Sequence, residues 1–187
     1  MTIIAHITDL HLDGTHRRRS MLERALSDAY QYSVDHLVVT GDVTANGTDK
    51  QHKEASEVLS DWPTPITVVA GNHDGRLENW TSDITDLGDT LVVPIDTRAS
   101  RRPLAFCALG EIDPPQVSTI EQVTRGGQRV VILAMHHGPQ LHPLQFFDGL
   151  LNRSALRKIL AQRPWIHVLC GHDHRCLDIG PQIHVAP

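Results

Sequence analysis

Three observations predict an α/β fold with a largely parallel sheet. Short apolar, β-branched runs recur at residues 2–8, 37–40, 66–70, 91–95, 104–109, 130–135, 166–170 and 183–186. Their near-continuous hydrophobicity suits strands buried on both faces. Helical stripes separate the early runs, so the chain begins β-α-β-α-β, the order of a parallel sheet. Of 187 residues, 40% are hydrophobic and 21% charged, enough apolar surface for one domain spanning residues 1–187.

The elements follow in order. Residues 2–8 form the first strand. In residues 20–32, Met21, Leu22, Ala25, Leu26, Ala29 and Tyr30 share one helical face. Ala55, Val58 and Leu59 repeat that spacing more briefly. Ala155, Leu156, Ile159 and Leu160 form a third stripe, with Asn152 or Ser154 as its cap. The closer-spaced runs within 91–109 and 166–186 suggest antiparallel hairpins and a second sheet. Gly138-Pro139 and Pro114-Pro115 mark loops. Neither a repeat nor a linker interrupts the pattern.

Composition excludes several function classes. Lys+Arg 17 against Asp+Glu 22 gives a net charge of −5, which argues against a broad nucleic-acid surface. No apolar run reaches the ~18 residues of a transmembrane helix, so no membrane partner is expected. The opening MTIIAHITDL has no basic leader region, which points to the cytoplasm. Cys107, Cys170 and Cys176 are odd in number and form no CxxC pair, so a disulfide framework is not expected. The anomaly is 13 histidines.

The strong strands end in metal-capable residues. Residues 2–8 run into Asp9 and His11, and 37–40 into Gly41-Asp42. Residues 66–70 run into Gly71-Asn72-His73-Asp74, 130–135 into His136-His137, and 166–170 into Gly171-His172-Asp173-His174. Ligands of open α/β sheets bind at the carboxyl ends of strands. The i, i+2 spacing of Asp9/His11 and His172/His174 places each pair on one side of an extended chain. Gly41, Gly71 and Gly171 permit tight turns where the chain must approach a ligand. Asp9, His11, Asp42, Asn72, His136, His172 and His174 are too many ligands for one ion and suit two ions sharing a carboxylate. Oxygen and nitrogen donors without thiolate favour Mn, Fe, Zn or Co over Ca. Asp9 and Asp42 alone would repel a phosphate. Two divalent ions with a bridging hydroxide turn their −2 into about +1, which attracts a phosphoester.

The set D-x-H, G-D, G-N-H-D, H, G-H-x-H resembles the calcineurin-like metallophosphoesterase superfamily, from Asp9 to His174. The resemblance implies a two-sheet β-sandwich flanked by helices. It implies that Asp9, His11, Asp42 and His174 hold one metal, and that Asp42, Asn72, His136 and His172 hold the other, with Asp42 bridging. Hydroxide attack on phosphorus would follow, with His73 protonating the leaving oxygen, Asp74 tuning it, and His137 or Asn72 holding phosphoryl oxygens. GDVTANG lacks the Arg of the Ser/Thr protein phosphatase motif. GDVTANGTDKQHKEASEVL with PITVVAGNHD resembles class III cyclic-nucleotide phosphodiesterases and glycerophosphodiesterases. MHHGP is similar to their MHHPP, with Gly138 for the first Pro, and FDGLLN at 147–152 is similar to the stretch that follows. The chain stops soon after GHDH, where relatives continue.

The function expected is dimetal hydrolysis of small phosphodiesters, 3',5'-cyclic nucleotides included. Phosphomonoesterase or nuclease action at the same site is the alternative. A catalytically inert scaffold would lack ligands, and none of the seven is missing. A homodimer is one option for the assembly, on which the residues are silent. Outside the motifs, Asp13 is a turn residue, and Asp173 orients a ligand or sits in a turn. His6, His36, His52, His142, His167 and His184 are structural. His16-Arg17-Arg18-Arg19 is either a solvated basic turn or faces substrate. Arg101-Arg102 belongs to an exposed turn. Trp62, Trp80 and Trp165 pack in the core or at its edge.

Overall fold

A computed structural model describes residues 2–75, 81–98, 108–127, 129–140 and 149–187. The first half of the chain runs β1 (Ile4–Ile7), α1 (His16–Tyr30), β2 (His36–Thr40), α2 (Asp49–Ser60), β3 (Ile66–Val69), β4 (Thr85–Asp86), β5 (Thr90–Ile95). The second half runs β6 (Leu109–Gly110), α3 (Pro114–Val123), β7 (Val130–Met135), β8 (Gly149–Leu150), α4 (Arg153–Gln162), β9 (Ile166–Cys170), β10 (Leu177–Ile179), β11 (Ile183–Val185).

Two sheets result. β1-β2-β3 is wholly parallel, with Ile4 opposite His36 and Leu37 opposite Ile66. The second sheet has the order β10-β11-β9-β7-β5-β4, parallel at its centre and antiparallel at both edges. Strand alternation divides the apolar residues into three cores. Val38, Val69, Val92, Ile132 and Ala134 meet between the sheets. Leu37 and Val39 point the other way, under Leu22 and Leu26 of α1 and Ala55, Val58 and Leu59 of α2. Val131, Leu133, Ile166 and Val168 pack under Ile120 of α3 and Leu156 and Leu160 of α4. The architecture is therefore helix, sheet, sheet, helix, as the resemblance implies, and each fully buried Val or Leu contributes about 1.5–3 kcal/mol.

The helices are capped locally. Thr15 and Thr48 accept from the backbone N–H of Arg18 and Gln51. Thr15 is itself held by Asp13, 2.6 Å from its hydroxyl, so Asp13 is a turn residue. Helix α1 begins at His16, so the basic run is its first turn, with Arg19 paired to Glu23.

Three local expectations need correction. Pro114-Pro115 opens α3, because proline is pre-organised for the first helical turn and Asp113 accepts from Gln116 N–H at 2.9 Å. Among the described residues of 91–109 no hairpin is present. The path from β5 returns through α3, so β5 pairs with β7 in parallel, and Leu109 lies in a separate short pair, β6-β8. In the C-terminal region the expected antiparallel hairpin does form, between β10 and β11, while β11 pairs parallel with β9. Asn152 sits at the α4 N-cap but sends its side chain to the backbone of Ile112, at 3.1 and 2.7 Å. Residues 104–107, Trp80, Arg101, Arg102, Cys107, His142, Phe147 and Asp148 lie outside the described residues.

Most off-motif histidines are structural. His6 bonds Thr40 Oγ1 at 2.7 Å, His36 bonds Thr67 Oγ1 at 2.8 Å, and His52 Nε2 donates to Asp74 O at 3.0 Å. His167 and His184 stack at 5.7 Å, and His184 also meets Asp178. Trp62 and Trp165 pack against the two outer cores. No helix among the described residues is long and apolar enough to cross a membrane.

Candidate metal centre

The carboxyl ends of β1, β2, β3, β7 and β9 bring all seven expected ligands to one edge of the sandwich. Pairing continues past the strands: Asp9 N–H donates to Gly41 O at 3.0 Å, and His11 N–H to Asp42 O at 2.8 Å. These bonds fix the Asp9 and Asp42 loops side by side.

Local backbone conformation was not foreseen. Six non-glycine described residues have positive φ, and five are expected ligands: Asp9 (53°), His11 (44°), Asp42 (47°), His172 (74°) and His174 (49°). The pairs Asp9/His11 and His172/His174 thus converge through left-handed turns, not through alternation along an extended chain. Such conformations cost on the order of 1 kcal/mol each and persist where the surroundings enforce them.

The glycines have a matching reason. A Cβ on Gly71 would lie 2.2 Å from Asp42 Oδ1, and one on Gly171 would lie 2.4 Å from Asp9 Oδ2. Those two glycines are needed for close approach. Gly41 combines both demands, with φ of +92° and His136 ring atoms 2.7 Å from where its Cβ would be.

Asp42 is 2% exposed and lies at the centre of the cluster. Its Oδ1 accepts from His73 N–H at 2.8 Å. Its Oδ2 faces three imidazole Nε2 atoms: His136 at 3.3 Å, His11 at 3.8 Å and His73 at 4.0 Å. Burial alone would raise the Asp42 pKa, but hydrogen bonding and charge from His136, with help from His73, hold it at about 2. Burial likewise opposes charge on His136, and Asp42 outweighs it, raising that pKa. His11 goes the other way, lowered mainly by burial.

The remaining ligands frame this centre. Asp9 Oδ2 accepts from Thr8 Oγ1 at 2.8 Å and from His172 N–H at 2.9 Å. Its Oδ1 is buried without a hydrogen-bond partner, 3.5 Å from His174 Nε2 and 3.9 Å from His11 Nε2. His136 Nδ1 lies 2.8 Å from Thr40 O, so it carries the proton and leaves the Nε2 lone pair for the centre. That Nε2 is 3.2 Å from both Asn72 Oδ1 and His172 Nδ1. Ligands around one ion at bonds of about 2.0–2.2 Å stand about 3.0–3.4 Å apart. The donor set, its spacing and the orphaned Asp9 oxygen therefore fit divalent cations.

His73, Asp74 and His137 take different places. His73 Nδ1 donates to Ala45 O at 2.8 Å, and its side chain is 48% exposed, so Nε2 lies on the open side. Asp74 does not tune His73 by contact. It is fully buried, accepting from the N–H groups of Gly71, Val43 and Thr44 and from the Thr44 hydroxyl, which ties the Asp42 loop to the Asn72 turn. His137 does not reach the open face. It is fully buried, with ring centroids 4.8 Å from His136 and 4.4 Å from His172, and Thr97 Oγ1 lies 2.8 Å from Nδ1. Gly110 covers it: a Cβ there would meet the His137 ring at 2.5 Å. Burial and the adjoining imidazoles push its pKa well down, so it stays neutral.

The sequence profile of the calcineurin-like phosphoesterases matches residues 2–176. The chain belongs to this family. Among curated members, the 3',5'-cyclic adenosine monophosphate phosphodiesterase CpdA of Pseudomonas aeruginosa is 26% identical over 181 residues, covering 90% of this chain and 64% of that protein. The glycerophosphodiester phosphodiesterase GpdQ of Enterobacter lignolyticus is 26% identical over 200 residues, covering 92% of this chain and 70% of that one. The chain thus spans about two thirds of the length of these relatives. The crystal structure of a dimetal phosphatase from Danio rerio superposes with a TM-score of 0.75 at 14% identity, over 98% of this chain and 86% of that one. That likeness establishes the metallo-dependent phosphatase fold.

Proposed function

We propose that the protein is a dimetal phosphodiesterase acting on small phosphodiesters, with 3',5'-cyclic nucleotides as the leading class. The carrying observation is Asp42 Oδ2, a buried carboxylate oxygen within 4.0 Å of imidazole nitrogens from three separate loops. Asp9, His11, Asp42 and His174 hold one cation, and Asp42, Asn72, His136 and His172 the other. Mn, Fe, Zn and Co suit these donors. Bound there, the cations supply a water of lowered pKa and neutralise phosphoryl charge.

The chain's own groups do the rest. Asn72 orients the phosphoryl group from the floor of the site. The His73 ring is fixed by Ala45 O, so a proton at Nε2 points to the open side, where the leaving oxygen departs. Asp74 and His137 hold the loops that carry the ligands. The relatives named as phosphodiesterases support diesters over monoesters.

The test is hydrolysis of bis-p-nitrophenyl phosphate against p-nitrophenyl phosphate with Mn2+. A panel of cyclic nucleotides, dinucleotides and glycerophosphodiesters follows. Faster diester turnover is expected, and a clear monoester preference overturns the assignment.

A further inference from the structure

We propose that Gln140 is a positioning residue that latches the His136 loop onto the His172–His174 loop. The inference rests on the metal-centre reading above. Gln140 is 7% exposed, and both ends of its amide are used. Nε2 donates to Asp173 Oδ2 at 3.0 Å, and Oε1 lies 3.7 Å from the Cys170 thiol, which donates to it. Asp173 stands between two ligands whose backbones are left-handed, His172 and His174. A loop in that conformation needs ties from outside itself. Gly171 N–H to His136 O at 3.1 Å and His172 N–H to Asp9 Oδ2 at 2.9 Å tie its first half. Gln140 ties the second half.

Gly138 makes room for the latch. A Cβ at that position would lie 2.1 Å from Gln140 Oε1 and 2.4 Å from Cys170 Sγ. Any side chain at 138 expels the Gln140 amide or displaces the thiol. The Gly138 that departs from the MHHPP pattern and the buried Gln140 are therefore one feature.

The experiment is titration of the metal-free chain with Mn2+ by calorimetry, comparing wild type with Gln140→Met, Gly138→Ala and Asp173→Ala. Gln140→Met keeps the side-chain volume and loses both hydrogen bonds. It is expected to weaken Mn2+ binding about tenfold, the usual effect of removing a group that orients a ligand. Amide exchange across 171–174 should accelerate in the metal-free variant, with little change in the strands. Gly138→Ala should do the same, and Gln140→Met/Asp173→Ala should be no worse than the more severe single variant. Unchanged affinity and exchange in Gln140→Met, with two Mn2+ bound by the wild type, overturns the latch alone. A wild type that binds no Mn2+ overturns the metal centre and the latch with it.

Discussion

Left-handed ligand backbones make an inverted prediction at His174. Its φ is 49° and its side chain is 58% exposed, so truncation in the metal-free chain removes little packing. Alanine keeps a Cβ in a conformation that costs L-residues about 1–2 kcal/mol. Glycine escapes that cost but gains about 0.5–1 kcal/mol of unfolded-state entropy. His174→Gly should therefore exceed His174→Ala in stability by about 0.5–1 kcal/mol. For a chain of this size that is about 1–4 °C in Tm. Lys53, an exposed α2 position, is the control: there alanine should exceed glycine by about 1 kcal/mol. Thermal unfolding by circular dichroism in excess chelator measures both pairs. The same alanine-over-glycine order at 174 as at 53 would refute the strained-backbone argument. With Mn2+ at 100 times its Kd, wild type should gain about 2.7 kcal/mol per site, and both His174 variants should lose most of one site's share.

Further predictions follow from the same geometry. Asp42→Asn should lose both cations together because Oδ2 is shared; metal analysis showing two retained ions with full turnover would contradict the bridge. His73→Gln should keep the cations and slow turnover about 10²–10⁴-fold, most for poor leaving groups. A leaving-group series with uniform loss would exclude the proton-donor role. His6 is held down to about 4, first by burial and then by His184, against the pull of Asp9. A folded pKa below the unfolded 6.5 means that the unfolded chain binds the extra proton. Stability then falls as pH drops from about 6.5 towards 4, by up to about 3 kcal/mol. His6→Gln keeps a donor for Thr40, and its denaturant midpoint should be flatter across that window; an identical pH profile would remove His6 as the cause.

What could be foreseen from the residues divides along physical lines. The convergence of Asp9, His11, Asp42, Asn72, His136, His172 and His174 was legible because each follows the carboxyl end of an apolar strand, where an α/β sheet gathers its polar groups. The α/β layering was legible because doubly buried strands must be apolar. The supports were not. Thr8, Thr97 and Gln140 are ordinary residues whose supporting contacts span 30 to 40 positions in sequence, as Gln140 to Cys170, Thr8 to Thr40 O and Thr97 to His137 show. Pro114-Pro115 misled because proline punctuates loops and helix starts alike, and the Asp113 cap before it was the deciding signal. For His137, adjacency to a ligand candidate left open which way the ring turns, and the structure turns it inward beside His136 and His172. Only Gly110 on the short β6 strand reveals that the ring is enclosed.

One constraint underlies both letter patterns of the site. Carboxylate, amide and imidazole groups from five loops meet within about 4 Å of one another, and most of the proposed ligand backbones lie in turns where glycine would be easiest. Ligands cannot be glycine, so Asp9, His11, Asp42, His172 and His174 carry the strain themselves. The space they need is created by glycines next to them: Gly71 beside the Asp42 carboxylate and Gly171 beside that of Asp9. Without cations, the strain is offset only by hydrogen bonds between and beside the loops, and Asp42 raises the proton affinity of His136. A cation supplies the missing charge and the missing contacts together, so binding and local ordering are one equilibrium. Metal removal should therefore loosen the loops at 9–11, 42 and 171–174 before it loosens the strands that carry them.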